Sequence, residues 1–372
     1  MKALKNIIFI FLLSLLCLPL LQQTFKIVDV KPLSGAYNLP DTSALNSKNW
    51  FAGDFQNKYS PFYEYQIGFR PFFVRLRNQL YVWTYGKSDG YVVIGKEGQL
   101  FAWNYWYSSL NGGDFIGDEE IAKRVGLMSD LQEKLKEQNT PLLVIIGPNK
   151  VRHLPEYLPD NYNKEQSPTG NYNSWRKALV QSDLNVIDYN QIYIDLKKEY
   201  GRSIFPNTGT HWSAAGMGLA LEAILNAADR AHGDSIMDVS VDNLVLMDSI
   251  VDSDVDLRND LNIFFPPDIQ PNLFPEISIK QNGRKAKVLV IGDSFYWNLF
   301  QLPSFHETID TASHFFYYNN TDKRLTWTET PVEGLDIHKI VENVDIVVLL
   351  ATEANLHKLP YGFPENYLGK PD

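Results

Sequence analysis

The chain reads as a three-layer α/β protein with a parallel central sheet, preceded by an apolar N-terminal segment and a helical lead-in. Three observations carry this. Unbroken runs of Val, Ile and Leu stand at 142–146, 288–291 and 346–350, the last followed by Ala351. Such runs lack the polar alternation of a half-exposed strand, so both faces are buried, as in a parallel sheet covered by helices. Helical patterns fall between the strands at 119–138, 174–181, 191–200 and 214–227. With 372 residues, 44% of them hydrophobic, the chain can bury a large core.

The elements follow in order. Lys2 and Lys5 precede a 15-residue apolar stretch at 7–21. That length suits a signal segment and is short for a full membrane span. The next residues, Gln22-Gln23-Thr24-Phe25, offer no small-x-small cleavage site, so residues 1–25 read as an uncleaved signal anchor sooner than a removed peptide. Leu16 stands before Cys17 where a lipobox needs a small residue, which argues against lipidation. Cys17 is the only cysteine, so the exported part has no internal disulfide and no thiolate metal site. Residues 26–85 read as a linker and docking helices: 26–48 is polar and turn-rich, and Phe51, Phe55, Tyr59, Phe62, Tyr63 and Phe69 recur at near-helical spacing, a stripe expected to pack as core. Residues 86–372 form the main domain. It opens with a hairpin at 91–103 turning at Gly95-Lys96-Glu97-Gly98. Strands at 142–146 and 185–188 then alternate with helices, and 288–291 and 346–351 close the set.

Residues 236–284 read as an insertion. Asp252, Asp254, Asp256 and Asp260 invite a calcium loop, but its sixth and twelfth positions are Leu257 and Ile263 instead of Gly and Glu. The cluster therefore reads as a solvated acidic surface, and no metal or other cofactor is expected. Formal net charge is −10, and the first 24 residues hold two lysines and no acid, leaving −12 on the remainder. With no long basic run, nucleic acid is excluded as a partner.

Two separated segments carry chemistry. Lys287 to Trp297 ends its β-branched run in Gly292-Asp293-Ser294, which presents a serine at the carboxyl end of a buried strand. Asn207-Thr208-Gly209-Thr210-His211-Trp212-Ser213 places a histidine in a loop just before a helix. A serine hydroxyl is a poor nucleophile at neutral pH without an adjacent base, and a loop histidine supplies one. Gly147-Pro148-Asn149-Lys150 and Glu353 also fall at strand ends, where open α/β sheets bind ligands.

These blocks resemble the SGNH-hydrolase superfamily, and within it the alginate O-acetyltransferase-like (AlgX/AlgJ-type) branch. Gly292-Asp293-Ser294-Phe295 is similar to that branch's nucleophile block and Thr210-His211-Trp212-Ser213 to its histidine block, with the histidine first in the chain. Further similarity lies at 93–101, at Gly147 to Lys150 with Pro155-Glu156, and at 351–356, so the resemblance spans about residues 49–363. The branch has an aspartate two residues before the histidine, and here that position is Gly209. A Ser-His dyad, a substitute carboxylate or a degenerate site would each fit this departure.

The resemblance implies Ser294 as nucleophile and His211 as base. Glu353, at a strand end, is the candidate replacement for the missing aspartate. Asp293 reads as a turn residue. The Ser294 amide, Asn149 and Lys150 are oxyanion candidates, with Trp212 and Tyr296 as further substrate-side candidates. The implied activity is O-acetyl transfer to an exported polysaccharide through an acyl-serine. An acetyl donor supplied by a multipass membrane O-acyltransferase and a periplasmic, inner-membrane-anchored location go with it. A carbohydrate acetylesterase and a catalytically inactive polysaccharide-binding subunit are the alternatives.

Overall fold

The structure is a computed structural model that describes residues 2–35, 46–165, 167, 169–233, 235–281 and 283–370. Residues 36–45 of the expected linker lie outside the described residues. The chain forms two compact units, Met1–Gly90 with Arg258–Pro266, and Tyr91–Leu257 with Pro267–Asp372.

The first unit contains helices α1 (Lys2–Phe25), α2 (Ser47–Ala52), α3 (Asp54–Gln66) and α4 (Arg70–Tyr85). Helix α1 is long and apolar enough to cross a membrane, and none of that apolar stretch is buried. The aromatic stripe of the lead-in does not form a core, contrary to the sequence expectation. Helix α3 buries no side chain, and α4 buries only Gln79. Phe51, Tyr59 and Tyr63 are exposed. Helical spacing does group those rings on one face, but spacing cannot say whether anything covers it.

The second unit holds the sheet. Its strands are β1 (Val92–Ile94), β2 (Leu100–Ala102), β3 (Leu142–Gly147), β4 (Val186–Asp188), β5 (Asp238–Met247), β6 (Asn272–Lys280), β7 (Val288–Gly292), β8 (His314–Tyr317), β9 (Thr321–Lys323), β10 (Glu329–Pro331) and β11 (Ile346–Thr352). The central sheet runs β10-β9-β8-β7-β11-β3-β4. From β8 to β4 every pairing is parallel, while β9 and β10 add an antiparallel edge. That edge is missing from the sequence reading because its strands are short and carry polar residues. The expected hairpin is β1–β2, and the insertion forms the antiparallel pair β5–β6.

Burial on both faces of the sheet explains the apolar runs. Leu142, Val144, Ile146, Leu289, Ile291, Val347 and Leu349 belong to a core with Ile121, Met128 and Leu131 of helix Asp118–Lys136 and Trp175 of helix Asn171–Val180. Leu143, Ile145, Val288, Val290, Val348 and Leu350 alternate with them and are equally buried. The register aligns Gly292 of β7 with Leu350 of β11, and Gly147 of β3 with Thr352. Ser294, Asn149, Lys150 and Glu353 therefore emerge at the carboxyl ends of three neighbouring strands.

Candidate active site

Ser294 opens the short helix Ser294–Asn298 directly after β7. Asp293 caps that helix: one carboxylate oxygen accepts the Phe295 amide at 3.1 Å. The other accepts the Thr352 amide and hydroxyl, both at 2.8 Å, and the Asn355 side chain at 2.9 Å. The turn role read for Asp293 matches this geometry. With the Asp293 carboxylate committed, the serine is pinned at the carboxyl end of β7 and its hydroxyl is left to other partners.

That partner is His211. Its Nε2 lies 2.9 Å from Ser294 Oγ. On the far side of the ring, Nδ1 is hydrogen-bonded to Asp256 Oδ2. The other oxygen of Asp256 accepts the Thr210 amide at 2.9 Å and the Leu257 amide at 2.5 Å. With an ionised Asp256, Nδ1 carries the proton and Nε2 is free to accept from the serine. The side chains of His211 and Asp256 retain 18% and 23% exposure, so the line of three groups reaches solvent.

Glu353 is not on the imidazole, which corrects the sequence expectation. Its carboxylate accepts Arg152 Nε at 2.7 Å, Arg152 Nη2 at 2.5 Å and the Asn190 amide at 3.2 Å. The Arg152–Glu353 pair is almost fully buried. A carboxylate held in this bidentate fashion is occupied structurally. The acidic segment also departs from the expected solvated surface: Asp254 is buried and Asp256 faces the histidine.

Gly209 shows why the substitution is coupled. A Cβ there would lie 2.3 Å from the Ser253 carbonyl oxygen, 2.9 Å from Pro206 Cγ and 3.0 Å from the Asp254 carbonyl carbon. The Thr208 hydroxyl donates to the Asp254 carbonyl at 2.7 Å, which ties the two segments together. The segment that brings Asp256 to His211 thus occupies the space an aspartate at 209 would need. Nothing in the sequence tied Asp256 to His211, because the contact joins positions 45 residues apart. The signal available was the unexplained acidic cluster itself.

The remaining candidates are also reassigned. Lys150 is buried, and its ammonium donates to the carbonyls of Pro206 at 2.6 Å, Asn207 at 2.9 Å and Gly209 at 3.0 Å. It clamps the histidine loop instead of facing an oxyanion. Burial pushes its pKa down to about 7, against the pull of Asp256 and Asp254. Asn149 donates its amide to the Tyr105 carbonyl at 3.1 Å and accepts from the Val151 amide at 2.9 Å, so it caps a turn. Trp212 is buried and donates to the Phe295 carbonyl at 3.0 Å. Tyr296 is buried among Phe300, Phe305 and Phe315. Both rings pack in the interior. Among the described residues, no group of three or more His, Cys, Asp and Glu could hold a metal ion.

Fold and site together define an α/β protein with a serine, a histidine and an aspartate lined up by the carboxyl ends of a mostly parallel sheet. Residues 92–241 match the family model described as SGNH hydrolase-like domain, acetyltransferase AlgX, which bears out the resemblance read from the motifs. That span contains His211 and the 147–150 segment, while Asp256 and Ser294 lie beyond it. No curated protein matches the chain. Solved structures with similar folds include the O-acetyltransferase domain of Pseudomonas putida AlgJ, at 20% identity and TM-score 0.44, covering 72% of this chain and 93% of that one. Bacillus cereus PatB1 matches at 12% identity and TM-score 0.41, covering 70% and 95%. Pseudomonas aeruginosa AlgX matches at 12% identity and TM-score 0.39, covering 75% and 68%.

Proposed function

We propose that this protein is a serine-dependent O-acetyltransferase that acts on an exported polysaccharide. The observation that carries the proposal is the alignment of Ser294, His211 and Asp256 by hydrogen bonds on both ring nitrogens. Ser294 Oγ forms a bond to the acyl carbon while its proton passes to His211 Nε2. Asp256 stabilises the imidazolium so formed. The Ser294 amide, which has no acceptor among the described residues, is the donor placed for the developing oxyanion. The leaving oxygen takes the proton from Nε2, and an acyl-serine remains. An acceptor hydroxyl then gives its proton to Nε2 and attacks the acyl carbon. Ser294 Oγ departs and recovers that proton.

Transfer is favoured over hydrolysis by the acetyltransferase description of the matched family model. A cleft of about 700 Å³, whose lining does not include Ser294, His211 or Asp256, offers room for a carbohydrate acceptor. It is lined in part by Tyr318, His357, Lys358 and Tyr361. The Tyr318 amide bonds the Gly292 carbonyl at 2.9 Å, two residues from the nucleophile. Tyrosine faces suit the apolar faces of sugar rings. Helix α1 is retained as an anchor, which places the catalytic unit outside the inner membrane, where a multipass O-acyltransferase would deliver the acetyl group. The inactive-subunit alternative draws on Gly209, and the bond between Asp256 and His211 supports the active reading instead.

The test is turnover of p-nitrophenyl acetate by the full chain, with and without polysaccharide fragments, read by mass spectrometry. Acetylated fragments, absent with Ser294→Ala, are expected. Acetate release with no acetylated fragment would make the protein an esterase. Equal rates in wild type and Ser294→Ala would overturn both readings.

A further inference from the structure

Helix α4 is amphipathic the wrong way round for a protein in water. Phe73, Leu76, Leu80 and Trp83 follow one another at intervals of three, four and three residues, so they share one face. That face is exposed, from 37% at Leu76 to 64% at Trp83. Three of its polar side chains, Arg75, Asn78 and Gln79, bond to neighbouring segments, while Arg77 stays exposed. Arg75 donates to the carbonyls of Lys31 at 2.7 Å and Pro32 at 2.6 Å. Asn78 donates to the Leu261 and Asn262 carbonyls, and Gln79 accepts the Phe264 and Phe265 amides at 3.0 and 2.9 Å. These bonds fix the helix rotation, so the apolar stripe cannot roll inward without breaking them. Phe265, itself exposed, stacks on Trp83 and widens the stripe.

Where this helix begins is also fixed. Gly68 lies against the last turns of α1: a Cβ there would meet the Pro19 carbonyl oxygen at 2.2 Å, Gln23 N at 2.6 Å and Gln22 Cβ at 2.8 Å. Gln22 is buried and bonds both the amide and the carbonyl of Val28, which turns the chain at the end of α1. An apolar helix needs about 20 residues to cross the hydrocarbon. If α1 enters at Lys2 and Lys5, Gln22 and Gln23 stand at the opposite boundary, and the start of α4 stands there with them.

We propose that α4, together with the exposed rings of α3, lies in the outer-leaflet interface of the membrane that α1 crosses. This rests on α1 being retained as an anchor, as proposed above. The composition fits a lipid surface sooner than a protein partner. Between Ser47 and Tyr85 stand five Lys or Arg and two Asp or Glu, in a chain of net charge −10. Helix α4 carries three arginines and no acid. Basic residues draw a segment to anionic headgroups, and Trp, Tyr and Phe prefer the headgroup boundary. Docked this way, the first unit is held at the bilayer surface, on the side where a membrane-delivered acyl group would arrive.

The test uses the full chain in vesicles of phosphatidylethanolamine and phosphatidylglycerol. Cys17→Ser removes the only cysteine, and single environment-sensitive labels are attached through Phe11→Cys, Phe73→Cys, Leu80→Cys or Glu333→Cys. Lipids carrying a nitroxide near the headgroup should quench the labels at 73 and 80 by about half or more, as expected for an interfacial helix. The label at 333 should stay aqueous, and a deep nitroxide should quench the label at 11. A quenched label at 11 with aqueous labels at 73 and 80 would overturn the docking and leave the anchor standing. A blue shift at 73 and 80 without quenching would show protein contact and overturn lipid docking. An aqueous label at 11 would overturn the anchor, and the docking with it.

Discussion

The Ser253 carbonyl oxygen sits 2.3 Å from where a Cβ on Gly209 would stand. Three residues further along the same turn, Asp256 holds Nδ1 of His211. The carboxylate that could have come from position 209 comes instead from the segment that fills the space beside it. Gly209→Asp is therefore expected to destabilise, by about 1–3 kcal/mol or more for overpacking, and to bring no gain in kcat. Thermal unfolding and kcat on one preparation check this. A variant as stable as wild type and faster would show that the loop can accept the side chain.

Asp256→Asn keeps the size of the side chain and removes the charge that favours imidazolium. Loss of the triad aspartate in a serine hydrolase lowers kcat about 10⁴-fold, and a drop of that order is expected here with KM little changed. Steady-state kinetics with p-nitrophenyl acetate decide it. A loss under about tenfold would reduce the site to a Ser294–His211 dyad.

Glu353→Gln should act on stability. The substitution leaves the Arg152 guanidinium buried without its counter-charge. Breaking a buried pair this way costs about 3–5 kcal/mol. Turnover per folded molecule should persist. A kcat loss at unchanged Tm would return Glu353 to the catalytic machinery.

The strands and the serine–histidine pair were legible because they are local signals. The run at 288–291 ending in Gly292-Asp293-Ser294 states its strand, its end and its nucleophile in one stretch of sequence. Asp256 was not legible. Its role depends on how a segment between β5 and β6 folds back over Gly209, a tertiary contact that no spacing rule contains. Lys150 was misread for the same reason: its position after β3 was visible, but three backbone carbonyls as its partners were not. The stripe at 73–83 shows the converse, since its periodicity is plain and only the structure shows that it faces outward.

Lys150→Met should loosen the histidine loop. The Pro206 and Gly209 carbonyls would lose their donor, at about 1–3 kcal/mol for each group left unpaired, while the Asn207 carbonyl keeps the Leu100 amide at 2.8 Å. A lower Tm and a lower kcat with KM little changed are expected, because His211 is positioned through this clamp. Unchanged kcat at a lowered Tm would confine Lys150 to a structural role.

The last prediction concerns pH. Burial raises the Asp254 carboxyl to about 6, outweighing the Val251 amide that it accepts and the pull of Lys150. The unfolded chain releases this proton near the ordinary value of 3.8, the folded chain near 6. Between those values the folded state binds more protons, so stability falls as pH rises through that window. The deficit is complete above it, on the order of 2–3 kcal/mol for a shift of this size. Asn at 254 keeps an acceptor for the Val251 amide and cannot ionise. Asp254→Asn should therefore unfold at a higher temperature than wild type at pH 7.5 and at about the same temperature at pH 4. Thermal unfolding across that range checks it. A difference between the two proteins that does not change with pH would show that Asp254 does not titrate between 3.8 and 6 in the folded state.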